Sequence, residues 1–286
     1  MTLDKAYIRD GLRAGGLSPG DSLIMHCSLS SLGHVEGGAD TLIDAVLEAV
    51  SPGGTVMMPA LPDIYRPFDV RTSPSTAGLV SEVFWRRPDA FRSRHPSHSV
   101  AAIGPQARWL TEGHEHTDPT GIGSPYHKLY QQEGSWVLLI GVDHDRNTML
   151  HLAEALVRVP YLRTSQLRVV NPDGSASHYR AREMAYGHRE FIRIDWPLRE
   201  ANLQRQGIIG NAIVRLIRVR DLVDFAVRLL RSDPAALLCD KPRCIFCLWA
   251  RAQIRSAQTG QPDETDWPDL TRRWGCGDPH CECCVV

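Results

Sequence analysis

The spacing of apolar residues in the first half of the chain predicts alternating strands and helices. Short apolar runs at 23–25 and 55–58 predict buried strands, and apolar residues every three to four positions over 40–50 predict a helix between them. A shorter helix is predicted over 4–15. Strands that alternate with helices in this way are typical of an α/β fold with some parallel strand pairing.

The rest of the chain adds further elements after a long, proline-containing loop region at 59–99. A continuous apolar run at 136–141 gives the strongest strand signal, and a helix is predicted over 147–157. The other predictions are a helix at 78–85, a strand at 100–104, a hairpin over 167–179, a strand at 191–194 and a helix over 221–230 capped by Asp221. We therefore expect a mixed α/β fold with a partly parallel central sheet and flanking helices.

Composition narrows the class of protein without identifying its activity. Apolar residues make up 43% of the chain and charged residues 23%, as in an ordinary globular enzyme. The formal net charge is −1, so we do not expect a basic surface for nucleic acid. No apolar stretch approaches the roughly 20 residues of a membrane span, and the N-terminus does not resemble a signal peptide. We expect a cytoplasmic protein with neither a membrane nor a nucleic-acid partner.

The cysteines are concentrated at one end, since seven of the eight lie after residue 238. We therefore expect a main domain over 1–238 and a small Cys-rich segment over 239–286. In a cytoplasmic chain such a cluster indicates metal ligands or redox thiols before it indicates disulfides. A structural zinc site is one interpretation, and a tail whose thiols have no role is the other. The candidate ligands are Cys239, Cys244, Cys247, Cys276, His280, Cys281, Cys283 and Cys284.

Two polar loops contain residues suited to an anionic ligand. The first, 26–33, joins a predicted strand to a helical region and combines three serines with Gly33, so its N–H groups and hydroxyls can bind phosphate. The second, 92–99, contains two arginines, three serines and two histidines. Arginine binds phosphate through paired hydrogen bonds, and ligands bind beyond strand ends in α/β folds. Ordinary solvated loops are the alternative for both segments.

The predicted helix over 147–157 carries the strongest candidate for acid–base chemistry. His151 and Glu154 are three residues apart, which places both side chains on one helical face. A carboxylate beside an imidazole fixes its tautomer and raises its basicity. A surface pair without a catalytic role satisfies the same spacing, and Asn147 or Thr148 is expected to cap the helix. Since no His-Glu-x-x-His motif is present, we do not expect a catalytic zinc in the main domain.

Six short motifs, taken in order, resemble those of the aminoglycoside 3-N-acetyltransferase family. They are HCSLSSLG at 26–33, GGTVMMP at 53–59, TSPS at 72–75 with Gly78 and Glu82, RSRHP at 92–96 with Ser99, GSP at 123–125 and NTMLHLAE at 147–154. Each motif is weakly specific alone, but together they follow the family's order from about residue 5 to about residue 235. The resemblance implies the antibiotic N-acetyltransferase fold, which differs from the GNAT fold. It also implies acetyl-CoA as the donor and the 3-amine of an aminoglycoside antibiotic as the acceptor.

The same resemblance implies roles for individual residues. His151 corresponds to the general base of a direct transfer without an acyl-enzyme, with Glu154 beside it and Thr148 near the thioester. Cys27 stands where the family pattern often has serine, and we do not expect it to be a nucleophile because a buried cysteine is usually inert. Coenzyme contacts are implied for Ser30, Ser31, Leu32 and Gly33 in the first loop and for Arg92, Ser93, Pro96 and Ser99 in the second.

A polycationic acceptor is expected to bind in a cleft lined by carboxylates. The net charge of −1 does not by itself indicate such an acceptor, so an amine from a biosynthetic pathway is an alternative. A second alternative is a non-catalytic module that binds coenzyme A. The candidate carboxylates are Asp63, Asp69, Glu82, Asp118, Asp143 and Asp145.

Overall fold

The computed structural model of the chain describes residues 2–184 and 189–260. Its strands, in chain order, are β1 (Ser22–Cys27), β2 (Thr55–Pro59), β3 (Phe91–Arg92), β4 (Val100–Ile103), β5 (Trp136–Ile140), β6 (Arg163–Val170), β7 (Ala176–Met184), β8 (Gln204–Ile209) and β9 (Ala212–Arg218). Its α-helices are α1 (Lys5–Ala14), α2 (Gly38–Val50), α3 (Leu79–Trp85), α4 (Ala107–Thr111), α5 (Pro125–Gln131), α6 (Met149–Val157), α7 (Asp195–Glu200), α8 (Val219–Ser232) and α9 (Ile245–Thr259). Short 3-10 helices cover Leu29–Leu32, His114–His116, His144–Arg146 and Phe191–Ile194.

Seven of the strands form one mixed sheet in the order β3-β4-β2-β1-β5-β9-β8. β1 lies at the centre and pairs in parallel with both β2 and β5. Outside these three strands the neighbours pair antiparallel, with β4 against β2 on one side and β9 against β5 on the other. The partly parallel central sheet expected from the sequence is therefore confirmed.

The central strands are buried on both faces because helices cover the sheet on both sides. Successive residues of β5 divide between two hydrophobic clusters, with Val137 and Leu139 in one and Leu138 and Ile140 in the other. The first cluster also contains apolar residues of α6, α8 and α9, and the second contains those of α1, α2 and α3. Burial of both faces explains why this strand is a continuous apolar run rather than an alternating one.

Two sequence predictions about local structure are wrong. Residues 191–194 form a 3-10 helix instead of a strand. Phe191 and Ile194 are both buried three residues apart, which suits one helical turn, and the N–H of Ile192 donates to the Asp145 carboxylate at 2.8 Å. The second error concerns α8, which begins two residues earlier than expected, so Asp221 lies in its first turn and is not the N-cap.

β6 and β7 form a separate two-stranded sheet, which confirms the predicted hairpin. Leu167 of β6 packs with Ile64 and Tyr179 in a small hydrophobic cluster of its own. A backbone bridge between Phe68 and Val169 ties the hairpin to the long loop after β2. The hairpin is therefore attached to the loop region rather than to the seven-stranded sheet.

α9 lies in the Cys-rich segment predicted at 239–286, and it packs onto the main core. Phe246, Trp249 and Ala250 are buried in the cluster that also contains α6 and α8. Residues 261–286 lie outside the part of the chain that the structure describes, so the division into two domains stays a prediction. Within the described residues, no helix is both long and apolar enough to cross a membrane.

Gly141 follows β5 at the point where the strand meets the 26–33 loop. Its φ is +63°, in the left-handed region that favours glycine, and a Cβ there would lie 2.3 Å from the Cβ of Ser31. The Ser31 hydroxyl donates to the carbonyl of Gly141 at 3.0 Å, which holds the loop against the strand. A side chain at position 141 would therefore displace the loop.

We expect Gly141→Ala to destabilise the protein by about 1–3 kcal/mol more than Gly134→Ala, because overpacking adds to the strain of the left-handed backbone. Gly134 is a matched control, since its φ is +76° but a Cβ there would lie 3.5 Å from the nearest atom, on the Arg218 side chain. Urea unfolding of both variants measures the difference. Equal losses of unfolding free energy would contradict the close approach of Ser31 to Gly141.

Candidate active site

His151 and Glu154 lie together on α6, as their spacing predicts. Nδ1 of His151 is 2.7 Å from Oε2 of Glu154. The helix begins at Met149, whose N–H donates to the Asn147 side chain at 3.2 Å, whereas Thr148 makes no capping hydrogen bond. The local sequence therefore places the pair on one face of a helix that starts directly after the loop following β5.

Glu154 is a fully buried carboxylate that contacts both Arg189 and His151. Its Oε1 accepts a hydrogen bond from Nε of Arg189 at 2.8 Å, and its Oε2 faces His151. Arg189 is itself only 7% exposed, and its guanidinium lies 4.6 Å from the centre of the Tyr161 ring. Burial alone would raise the pKa of Glu154, but the charge of Arg189 and the two hydrogen bonds outweigh it and hold the pKa at about 2. Glu154 is therefore ionised at neutral pH.

An ionised Glu154 fixes the tautomer of His151. A carboxylate can only accept hydrogen bonds, so Nδ1 of His151 carries the proton that it donates to Glu154. In the neutral imidazole the lone pair is then on Nε2. The His151 side chain is 17% exposed, whereas the Glu154 side chain is fully buried. The arrangement can therefore accept a proton at Nε2 and stabilise the resulting imidazolium through Glu154.

Two aromatic rings flank the His151 imidazole. The ring centre of Phe191 lies 4.9 Å from that of His151, and the ring centre of His98 lies 5.9 Å from it. Burial, together with the nearby imidazoles of His151 and His114, lowers the pKa of His98 to about 3. His98 therefore stays neutral at neutral pH and adds no positive charge beside His151.

The first polar loop forms a 3-10 helix over Leu29–Leu32 directly after β1. Ser30 is exposed, and its hydroxyl lies 3.2 Å from that of a neighbouring serine, whereas the Ser31 hydroxyl donates to a backbone carbonyl. Leu32 is buried, and Gly33 has a φ of +90°. The loop thus presents the Ser30 hydroxyl to solvent, and its role in binding the coenzyme stays a prediction.

The second polar loop is held together by its own side chains. The Arg92 guanidinium donates to two backbone carbonyls at 2.5 and 3.0 Å, and its Nε donates to the Ser99 hydroxyl at 3.3 Å. The Ser93 hydroxyl is buried and lies 2.8 Å from Nδ1 of His114, and Pro96 is buried as well. These contacts fix the shape of the loop, and the predicted coenzyme contacts of its residues stay predictions.

Thr148 and Cys27 carry the other two groups considered for chemistry. The Thr148 hydroxyl is buried beside the Tyr126 hydroxyl and has no hydrogen bond of normal geometry, so its placement near a thioester stays a prediction. Burial raises the pKa of the Cys27 thiol to about 12. Cys27 is therefore a neutral thiol at neutral pH, which agrees with the expectation that it is not a nucleophile.

Most of the carboxylates expected to bind a cationic acceptor are engaged with their neighbours. The group is spread over three segments: Asp63 accepts from the N–H of Tyr65, Asp69 pairs with Arg71, Glu82 accepts from Arg86, Asp143 accepts from the N–H of Asp145, and Asp145 accepts from the N–H of Ile192. These contacts hold local turns and helix ends. Their predicted role in acceptor binding stays a prediction.

Asp118 differs from the other carboxylates because it lines a cavity of about 300 Å³. A series of side-chain contacts runs from Tyr179 of this cavity to His151. The Tyr179 ring lies 5.0 Å from that of His95, and Nδ1 of His95 accepts the N–H of His98, which flanks His151. The lining residues are Glu115, His116, Thr117, Asp118, Ile122, Tyr179 and Arg180.

Sequence reasoning did not identify Arg189 or His98 as neighbours of the pair. Arg189 lies 35 residues after Glu154, beyond the hairpin, so no helical or strand period connects them. His98 belongs to the 92–99 loop, and a loop has no period that predicts contact with a distant helix. The one available signal for Arg189 is that a buried carboxylate requires a cationic partner.

Three of the predicted metal ligands come together in the structure. Cys239, Cys244 and Cys247 are buried, and their Sγ atoms all lie within 4.8 Å of one another. The other predicted ligands lie outside the described residues, and they are Cys276, His280, Cys281, Cys283 and Cys284.

The chain is similar in sequence to known antibiotic-modifying enzymes. The profile of a family described as aminoglycoside 3-N-acetyltransferase matches residues 24–231. An aminoglycoside N(3)-acetyltransferase IV from Salmonella sp is 39% identical over 226 residues, which cover 78% of this chain and 85% of that protein. The residues matched by the family profile include the 26–33 loop, the 92–99 loop and α6.

Solved structures show the same similarity in three dimensions. A histidine-to-alanine mutant of aminoglycoside acetyltransferase AAC(3)-IVa in complex with gentamicin is 37% identical, with a TM-score of 0.82 over 89% of this chain and 98% of that one. A binary structure of AAC-IIIb with CoASH is 27% identical, with a TM-score of 0.76 over 85% of this chain and 100% of that one.

We expect Glu154→Gln to destabilise the protein at neutral pH by about 3–5 kcal/mol, because Arg189 would keep a buried charge without a counter-charge. The folded-state pKa of about 2 lies below the ordinary value of 4.5, so ionised Glu154 stabilises the fold above pH 4.5. That contribution is lost as the pH falls from 4.5 towards 2, and the variant lacks it at every pH.

Urea unfolding at a series of pH values from neutral into the acid range measures the loss of unfolding free energy in Glu154→Gln and its dependence on pH. The control Asp10→Asn removes the carboxylate of an exposed pair with Arg9 and should change stability little. If the unfolding free energies of the unmodified protein and of Glu154→Gln differ by the same amount at every pH in the acid range, the Glu154 carboxylate is not held in its ionised form.

Proposed function

Because the chain belongs to the aminoglycoside 3-N-acetyltransferase family, we propose that it transfers the acetyl group of acetyl-CoA to the 3-amine of an aminoglycoside antibiotic, with His151 as the general base. The single observation that carries the role of His151 is the 2.7 Å contact of its Nδ1 with a buried, ionised Glu154. Family membership supports the donor and the acceptor class, since relatives have been solved with CoASH and with gentamicin. Antibiotic resistance is the corresponding biological role.

The reaction is a direct transfer in which the acceptor nitrogen attacks the thioester carbonyl carbon. The bond from nitrogen to carbon forms, the bond from carbon to sulfur breaks, and the coenzyme leaves as a thiolate. Nε2 of His151 accepts the proton that the amine nitrogen loses, because Nδ1 is already protonated and donates to Glu154. Glu154 stabilises the imidazolium, and Arg189 is a positioning residue that keeps Glu154 ionised and in place.

The residues that flank the pair complete the proposed site. The loop at 30–33, which includes Ser30, Ser31, Leu32 and Gly33, binds the coenzyme, and its exposed group is the Ser30 hydroxyl. The Thr148 hydroxyl, which lacks a hydrogen bond of normal geometry, is the donor we assign to the thioester oxygen. An acyl-enzyme on Cys27 is not part of the proposal, because its raised pKa leaves too little thiolate.

We assign acceptor binding to the cavity lined by Asp118 and Glu115. Both carboxylates suit the ammonium groups of a polycationic sugar, and Tyr179 of the cavity is linked by side-chain contacts through His95 and His98 to His151. The remaining candidates, Asp63, Asp69, Glu82 and Asp143, are held by partners of their own. We therefore assign the acceptor to Asp118 and Glu115 of the cavity instead of to these four carboxylates.

We expect His151→Asn to lower kcat for acetyl transfer by about 10²–10⁴-fold, because the variant cannot accept a proton from the amine. Release of the coenzyme thiol, followed with a panel of aminoglycosides and simple amines, measures the rate. His127→Asn is the matched control, since it replaces a histidine of α5 that lies outside the proposed site and should retain activity. A His151→Asn variant that is folded and as active as the control would exclude the general-base role.

We expect Asp118→Asn to raise the KM for a cationic aminoglycoside by about tenfold with little change in kcat, because the lost contact is the same in the ground state and in the transition state. The KM for acetyl-CoA should not change. Steady-state kinetics with each substrate varied in turn separates the two constants, and Asp10→Asn serves as the carboxylate control. An unchanged KM for the aminoglycoside would remove this cavity from the proposed acceptor site.

A further inference from the structure

Three buried thiols converge where the Cys-rich segment meets the main core. Cys239, Cys244 and Cys247 are 2%, 0% and 1% exposed, and any two of their Sγ atoms lie within 4.8 Å of each other. Cys244 is the N-cap of α9 and Cys247 lies in its first turn, so both project to one side of the helix start. We refer to these three residues as the cysteine triad.

A purely hydrophobic role does not account for the arrangement of the triad. Buried cysteines often act as small apolar residues, but such residues are not required to converge. In the triad, the N–H of Cys239 donates to Sγ of Cys247 at 3.3 Å, and thiol sulfur is only a weak acceptor. A disulfide would join only two of the three sulfurs. An occupant that binds all three sulfurs accounts for the convergence.

The dimensions of the triad suit a tetrahedral metal ion. Zinc binds thiolate sulfur at about 2.3 Å, so sulfurs at the corners of a tetrahedral site lie about 3.8 Å apart. The sulfurs of the triad are already within 4.8 Å, so a shift of about 1 Å or less completes the geometry. Cys244 and Cys247 form a C-x-x-C pair, and four residues separate Cys244 from Cys239. One short segment therefore supplies all three ligands.

We propose that Cys239, Cys244 and Cys247 bind one Zn²⁺ ion as thiolates and thereby fasten the start of α9 to the main core. Binding releases three thiol protons to solvent and forms three zinc–sulfur bonds with no change of oxidation state. The near-complete burial of the triad keeps substrates away, so the site is structural.

Zinc content of the full-length protein, purified under reducing conditions without chelators, is the first test. We expect about one zinc per chain by elemental analysis, and the same value for Cys27→Ser, which removes a cysteine far from the triad in sequence. Cys247→Ser should reduce the content at least tenfold. Less than about half a zinc per chain in the unmodified protein, or retention of zinc by Cys247→Ser, overturns the proposal.

A second variant distinguishes the triad from the last segment as the source of the ligands. It replaces Cys276, His280, Cys281, Cys283 and Cys284 together and leaves the triad intact. Zinc that survives Cys247→Ser but is lost from this variant overturns the proposal, because the metal is then held by the last segment alone. Zinc lost from Cys247→Ser supports the triad, whether or not the fivefold variant also loses it.

A spectroscopic test does not depend on the folding of any variant. Zinc is removed from the unmodified protein with a chelator under reducing conditions, and Co²⁺ is then added. We expect saturation at one equivalent, with sulfur-to-cobalt charge-transfer bands and the intense d–d bands of a tetrahedral ion. Cobalt spectra without thiolate bands, or with weak octahedral bands, contradict the triad as the metal site.

Discussion

The structure around the candidate site depends on one constraint, the burial of the Glu154 charge. A carboxylate without access to water requires a cation and further donors, and Glu154 obtains them from Arg189 and His151. This requirement joins two parts of the chain that are distant in sequence. It brings the start of the 189–200 segment onto α6, and so places Phe191 against the imidazole.

Burial also keeps the histidines around this site uncharged. The surrounding histidines His95, His98 and His114 all have pKa values far below the ordinary histidine value, chiefly because they are buried. They therefore remain neutral over the physiological range and act as hydrogen-bonding and packing groups. The ionised Glu154 is therefore the charged group in hydrogen-bond contact with His151.

Local patterns in the sequence predicted the elements and the pair on α6, but not the contacts between distant segments. The apolar run of β5 and the i, i+3 spacing of His151 and Glu154 are set within a few residues, so they can be recognised without the fold. Arg189 meets Glu154 only because the chain returns to α6 after the β6–β7 hairpin, and no short-range pattern in the sequence predicts that contact.

The strand predicted over 191–194 is wrong because four mostly apolar residues fit either a strand or a single helical turn. The convergence of the cysteine triad was predictable in part, since a C-x-x-C spacing at the start of a helix places its two thiols near each other.

The contact between Glu154 and Arg189 also brackets the β6–β7 hairpin. The hairpin follows α6 and Arg189 comes after it in the chain, so a buried ion pair joins residues on either side of the hairpin. The hairpin packs on the loop after β2 and contributes Tyr179 to the cavity beside Asp118. The hairpin is therefore held at two places, at its base by the ion pair and at its side by the contact of Tyr179 with His95. A change in the hairpin that keeps Arg189 and Tyr179 leaves both contacts in place.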